Sequence, residues 1–358
     1  MPTSATTTYL HIGPPKTGTT YLQDVLWRNK KALRRHGYHV PGSQMDHFQA
    51  ALDLREMAFG GYDDPRTRGA WDRIVASAHD SRHDKLIVTH ELLAGATVEQ
   101  IRRAVDSLAP ATVEVVYGAR DLGRQLPGMW QENLKNASAR PFRKMLSTTL
   151  AVERPSSLPN GFWRSQDPVG VLERWASAVP PARIHVVTVP QRGAPREELW
   201  SRFCAAVGVR NEGFDLDVRR PNRSLGIVDA EVLRRLNKHL ADALEWPDYE
   251  RLVKHVFNQR ANRTEHPPPI LVPRRHREAV LAQSRRIATS LATSGYDIVG
   301  SLGELTPGDD AFGPNPAKPV RVADAAAELL ASFVVEKAGN ARGICGDRAR
   351  ALLASLRR

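Results

Sequence analysis

Thr8-Tyr-Leu-His-Ile-Gly-Pro-Pro-Lys-Thr-Gly-Thr-Thr-Tyr-Leu-Gln23 is the stretch on which the reading of the whole chain turns. Tyr9, Leu10 and Ile12 form an apolar run suited to a buried strand. Gly13 and Gly18 permit a sharp backbone, and Leu22, Val25, Leu26 and Leu33 then recur at helical spacing. A strand, a tight loop and a helix start follow one another. Free N–H groups and the positive end of a helix dipole converge at such a loop, and Lys16, Thr17, Thr19 and Thr20 add one charge and three hydroxyls. The expectation is an anion cradle.

The spacing of Gly13 and Gly18 is that of the P-loop G-x-x-x-x-G-K-[ST], but Thr19 stands where the lysine belongs, and the lysine is at position 16. A nucleoside triphosphatase needs the lysine in its usual place on the β- and γ-phosphates, so the loop suits a different phosphate. Pro15-Lys-Thr-Gly-Thr-Thr20 resembles the 5′-phosphosulfate loop of the sulfotransferases that use 3′-phosphoadenosine-5′-phosphosulfate (PAPS). The run from His11 to Gln23 is similar to a bacterial branch of that family, H-I-G-x-x-K-T-G-T-T-x-L-Q. The resemblance implies a PAPS-binding set of Pro15, Lys16, Thr17, Gly18, Thr19 and Thr20, with Lys16 at the oxygen from which sulfur departs.

Two further strands support an alternating architecture. Lys85-Leu-Ile-Val-Thr-His-Glu91 ends in two titratable residues, and Val113-Glu-Val-Val-Tyr-Gly-Ala-Arg120 ends in a cation, with a helix capped by Thr97 between them. Strand–helix alternation predicts an α/β fold with a mainly parallel central sheet flanked by helices, P-loop-like, whose ligands sit beyond the carboxyl ends of the strands. The resemblance implies that a base follows the strand beginning at Lys85. Ile87-Val-Thr-His90 is similar to the histidine-bearing segment of the cytosolic sulfotransferases, and Glu91 matches a glutamate more common in the bacterial branch. Neighbours on an extended strand face opposite ways, so one of His90 and Glu91 is expected to enter the crevice, with His90 favoured over Glu91 as the base. Arg120 resembles the arginine that binds the cofactor's 3′-phosphate. The family's serine eight residues on is replaced by Gly128, with Arg124, or Arg223 and Ser224, as substitutes.

The segment between residues 36 and 69 has little periodicity and offers His47 and Phe48 as acceptor contacts or as local packing. A helix is expected from Pro127 to Asn136, with Trp130 in the core, and the irregular stretch Pro141 to Trp163 could form a lid. Strand Ala182 to Val189 and helices through Leu199–Val207, Val228–Leu244 and Arg274–Leu291 continue the pattern. Residues 1–307 are expected to form the α/β domain. Residues 308–358 read as a proline-rich linker and a helical tail, which either packs back on the core or self-associates into a homodimer.

Composition narrows the remaining classes. The 358 residues are 41% hydrophobic and 25% charged, with only Cys204 and Cys345 as thiols, which suits a folded protein of a reducing compartment. No signal-peptide pattern and no apolar run of about 18 residues is visible, so a cytoplasmic chain without a membrane span is expected. The net charge of +12 would suit nucleic acid, but no basic run interleaved with aromatics accompanies it, which argues against that partner. His79 and His83 have helical ligand spacing without a third ligand, and no acidic Mg²⁺ ligand is evident apart from Glu91, so no metal site is expected. The expected activity is sulfuryl transfer from PAPS to a hydroxyl or amine of a small molecule, lipid or glycan. A P-loop-type small-molecule kinase and a non-catalytic anion- or nucleic-acid-binding module are the alternatives.

Overall fold

The computed structural model describes residues 7–151, 161–217, 224–240, 243–263, 267–315 and 317–342, with the backbone alone at 260–263 and 332–342. Strands β1 (Thr7–Gly13), β2 (Tyr38–His39), β3 (Lys85–Thr89), β4 (Thr112–Ala119), β5 (Ile184–Thr188) and β6 (Asp297–Val299) form one sheet in the order β2-β3-β1-β4-β5-β6. Every pairing is parallel. The expected α/β class with a parallel sheet holds.

Alternation along β1 explains why both faces are covered. Leu10 and Ile12 enter one apolar cluster with Leu86, Val88, Val115 and Tyr117, whereas Tyr9 enters the other with Ile87, Val116, Trp200 and Phe203. Helices α1 (Thr19–Arg28) and α10 (Glu198–Val207) cover the second face. Helices α4 (Ala70–His79), α5 (Val98–Ser107), α6 (Leu122–Lys135) and α9 (Pro168–Ala176) cover the first. Each fully buried aliphatic side chain contributes about 1.5–3 kcal/mol.

Several boundaries differ from the periodicity. The first helix breaks at Asn29, whose amide donates to Val25 O at 2.9 Å and to Asp215 O at 2.8 Å, so α2 (Lys30–Arg35) is separate. α6 begins at Leu122, not Pro127, because the Asp121 carboxylate caps it by accepting from Arg124 N at 2.9 Å; Pro127 lies inside the helix. The aperiodic segment after β2 contains α3 (Gln44–Leu54), closed by a capping box between Ser43 and Asp46. The stretch expected as a lid contains α7 (Phe142–Leu150) and α8 (Phe162–Gln166); its residues 152–160 lie outside the described residues.

Past residue 307 the chain remains tied to the domain. Val272 N donates to Ala311 O and Gly313 N to Val272 O, both at 3.0 Å, and Ala311 and Phe312 are buried, although their composition suggested exposure. The last helix described (Pro319–Arg342) buries Val322, Ala325 and Leu329 near α11 (Ile227–Leu240). Cys345 and the Leu352, Leu353 and Leu356 stripe lie outside the described residues. Among the described residues no helix is long and apolar enough to cross a membrane.

The register places the functional ends together. His11 of β1 pairs with Thr89 of β3, and Gly13 with Tyr117 of β4, after an irregularity between His11 and Gly13. The loop after β1, the His90–Glu91 pair and Arg120 therefore emerge side by side. At Gly13 (φ 86°) a β-carbon would lie 2.6 Å from Glu91 Cα, whereas at Gly37 (φ 83°) it would meet nothing within 4 Å. Gly37→Ala is expected to cost about 1–2 kcal/mol, the penalty of the left-handed conformation alone. Gly13→Ala should cost at least about twice that, because backbone must move as well. Urea melts measure the difference, and equal midpoints would refute the contact.

Candidate active site

The loop Pro14–Gly18 is held by its carbonyls. Thr17 Oγ1 donates to Pro14 O at 2.7 Å, Gln125 Nε2 to Pro15 O at 2.7 Å, and Arg120 Nη1 to Lys16 O at 2.7 Å. Three consecutive acceptors are thus engaged by side chains. Lys16 sits at φ 72° and Gly18 at φ 86°, conformations that turn the chain into α1. The helix starts at Gly18 without a side-chain cap and without an acidic residue in its first turn, so the positive end of its dipole is uncompensated.

This loop forms one wall of a cleft of about 1050 Å³. Pro15, Lys16, Gly18, Thr19, Thr20, His90, Glu91 and Arg120 all line it, so eight of the nine site residues read from the sequence converge. Thr17 does not line it: its hydroxyl serves the loop, tucked against Gly118, where a β-carbon would lie 2.7 Å from Thr17 Oγ1. Arg120 has one arm committed to the loop and leaves Nε buried without a partner. Burial, reinforced by Arg124, lowers its pKa to about 10.

His90 and Glu91 both face the cleft, contrary to the extended-strand expectation. β3 stops at Thr89, and residues 91–95 form a short 3-10 turn in which strand alternation no longer applies. Leu92 N donates to His90 Nδ1 at 3.2 Å, so the neutral ring carries its proton at Nε2. Burial lowers the His90 pKa against the opposing pull of Glu91, and the ring packs 5.3 Å from Phe48. Glu91 Oε2 accepts from Gln23 Nε2 at 3.0 Å, and Gln23 Oε1 accepts from Gln44 Nε2 at 3.4 Å. His47 is locked in the interior: its Nδ1 accepts from Thr89 N at 3.0 Å, its Nε2 meets Pro41 O at 2.8 Å, and burial lowers its pKa to about 4. Phe48, by contrast, lines the cleft.

The face of α6 carries groups that periodicity did not single out. Gly128, Gln131, Glu132 and Lys135, at i, i+3, i+4 and i+7, line the cleft together. Glu132 Oε2 pairs with Lys16 Nζ at 2.5 Å. Burial pushes the Glu132 carboxyl up, but the charge and hydrogen bond of Lys16, with Lys254 and Lys135 beyond, hold it at about 2. Burial and the neighbouring Lys16 lower Lys135 to about 8. At Gly128 a β-carbon would lie 3.4 Å from Lys16 Cγ, an ordinary contact, so glycine is not sterically required there.

Arg124 is occupied with Asp121 and with the carbonyls of Pro190, at 2.8 Å, and Val189, at 3.3 Å. Ser224 lines the cleft, while Arg223 lies outside the described residues. Trp130 is buried and donates to Arg140 O at 2.8 Å. His79 and His83 do not converge: α4 ends at His79, which meets Ser107 O at 3.1 Å, and His83 stacks on His39. Among the described residues no three His, Cys, Asp or Glu side chains are arranged to hold a metal ion.

A parallel α/β sheet with a lysine-bearing loop and an uncapped helix start at its carboxyl edge is the class that fold and cleft define. No family model and no curated protein matches the chain. Among solved structures it is similar to a sulfotransferase from Alicyclobacillus acidocaldarius, at 14% identity and a TM-score of 0.40, over 68% of this chain and 98% of that one. So distant a match says nothing about activity.

The Lys16–Glu132 pair has a pH signature. The folded pKa of Glu132 is depressed from its ordinary 4.5 to about 2, so its stabilising contribution is complete above about pH 4.5 and is lost as pH falls toward 2. The difference in unfolding free energy between wild type and Glu132→Gln is expected to be flat above about pH 5 and to shrink between about 4.5 and 2. Denaturant melts across that range test this, and a pH-independent difference would refute the pairing.

Proposed function

We propose that the chain is a sulfotransferase that takes its sulfuryl group from PAPS and passes it to a hydroxyl or amine. The observation that carries this reading is the loop whose carbonyls at 14, 15 and 16 are all tied back, beside an uncapped helix start and a lysine at position 16. Such a loop presents donors to an anion and withholds acceptors from it. Arg120, with an orphaned buried Nε, and Arg192 and Arg196, also on the cleft wall, suit a second phosphate.

The donor supplies an activated sulfuryl group on a phosphate. Within the chain, Lys16 is the cation for the 5′-phosphate and for charge developing on its departing oxygen. An anion that enters competes with Glu132 for Lys16. Glu91 is the better base. Its carboxyl is oriented by Gln23, and it can accept the acceptor's proton as the new oxygen–sulfur bond forms. His90 spends its Nδ1 lone pair on Leu92 N–H, which suits it to donating from Nε2.

Calorimetric titration with adenosine-3′,5′-bisphosphate is expected to show binding at least tenfold tighter than ATP, with or without Mg²⁺. Lys16→Met should weaken that binding. In a turnover assay Glu91→Gln should lose about 10²–10⁴-fold in kcat with nucleotide affinity kept within twofold, and His90→Gln should lose less. Preference for ATP with Mg²⁺ would overturn the reading, and a larger loss at His90 would reverse the choice of base.

A further inference from the structure

The cleft has two chemically different ends. Arg120, Arg192 and Arg196 mark one; the other joins a basic group to an aromatic wall. Phe48 lies edge-on to Phe59 at 5.3 Å, and Phe59 edge-on to Trp246 at 5.0 Å, so the wall runs outward from His90 beside Phe48. Gly60 permits the close approach of Trp246, since a β-carbon there would lie 2.4 Å from its ring. The Lys254 ammonium lies over both Phe59, at 5.6 Å, and Trp246, at 5.0 Å, and so joins the wall to the lysines.

Lys135 is the unexplained residue of this end. It is only 4% exposed, lines the cleft, and makes no hydrogen bond or ion pair with another described residue. An ammonium that reaches the cleft on a buried stem with no counter-ion in contact is available to a ligand, and helix packing does not require one here. Glu132 does not resolve the imbalance, because its carboxylate is taken by Lys16. Lys16, Lys135 and Lys254 against Glu132 and Glu250, which pairs with Lys254 at 3.7 Å, leave one positive charge in excess beside a flat apolar surface. A ligand that carries an anionic group would complete it.

We propose that this end of the cleft takes an acceptor bearing its own acidic group on a flat, aromatic body, a hydroxy-aryl acid, with Lys135 and Lys254 on the acid and Phe48, Phe59 and Trp246 on the ring. The assignment rests on the sulfotransferase reading. It turns the acceptor hydroxyl toward Glu91, at the His90 end of the wall, and gives Lys135 the partner it lacks. Neutral phenols share the ring contacts without the charge contacts, so discrimination comes from the lysines.

The test uses full-length protein saturated with adenosine-3′,5′-bisphosphate and titrated with 4-hydroxyphenylacetate or with neutral 4-methylphenol. The acid is expected to bind at least tenfold tighter. Lys135→Met, close in shape and spared the buried charge, should erase at least fivefold of that preference and leave 4-methylphenol within twofold; Lys135→Arg should restore part of it, and Lys254→Gln should act in the same direction. Equal affinities, an equal loss for both probes in Lys135→Met, or no binding of either probe to nucleotide-loaded protein would overturn the acceptor assignment alone. Failure of the nucleotide itself to bind would overturn the sulfotransferase reading beneath it.

Discussion

Three side chains from three places in the sequence, Thr17, Arg120 and Gln125, each hold one of three consecutive loop carbonyls. The cleft depends on this arrangement. The five-residue loop between strand and helix has five carbonyls but, because Pro14 and Pro15 lack an N–H, only three N–H groups, and an anion is repelled by the first as it is drawn by the second. Tying the carbonyls of Pro14, Pro15 and Lys16 to the protein shifts the balance toward the donors. It also secures Lys16 in a left-handed conformation that costs about 1–3 kcal/mol and needs surrounding structure to persist.

The same loop connects two walls of the cleft. Gly13 lies so close to the Glu91 backbone that no side chain fits between them, and Gln23 reaches from α1 to the Glu91 carboxyl. The loop and Glu91 are thereby fixed to each other through backbone contact and one amide. In acid–base catalysis geometry comes before pKa, and this geometry is set by the parallel register of β1 between β3 and β4.

Charge is distributed by a different logic. Lys16 is held by Glu132, which keeps the ammonium from lying unpaired beside the positive end of the helix dipole. Lys135 and Lys254 stand just beyond and add to the pull that keeps the carboxyl ionised. Removing one partner of such a set leaves a charge exposed to the others, which is why Glu132 is tied to stability as well as to the cleft.

The fold and most of the cleft were legible in the sequence because their signals are local. A buried strand, two glycines and a helical apolar stripe specify the anion loop within sixteen residues, and apolar runs ending in His90-Glu91 and Arg120 mark the strand ends beside it. The two-residue β2 and three-residue β6 are too short to show a period, and α3 is held by a capping box and by packing more than by any pattern. What tertiary structure alone decided was which groups meet. The 3-10 turn after Thr89 brings both His90 and Glu91 into the cleft, and Thr17 is claimed by the loop itself. The face of α6 sets Glu132 and Lys135 against Lys16 from more than a hundred residues away. Periodicity states that a helix has a face; only the packed sheet fixes what that face looks upon.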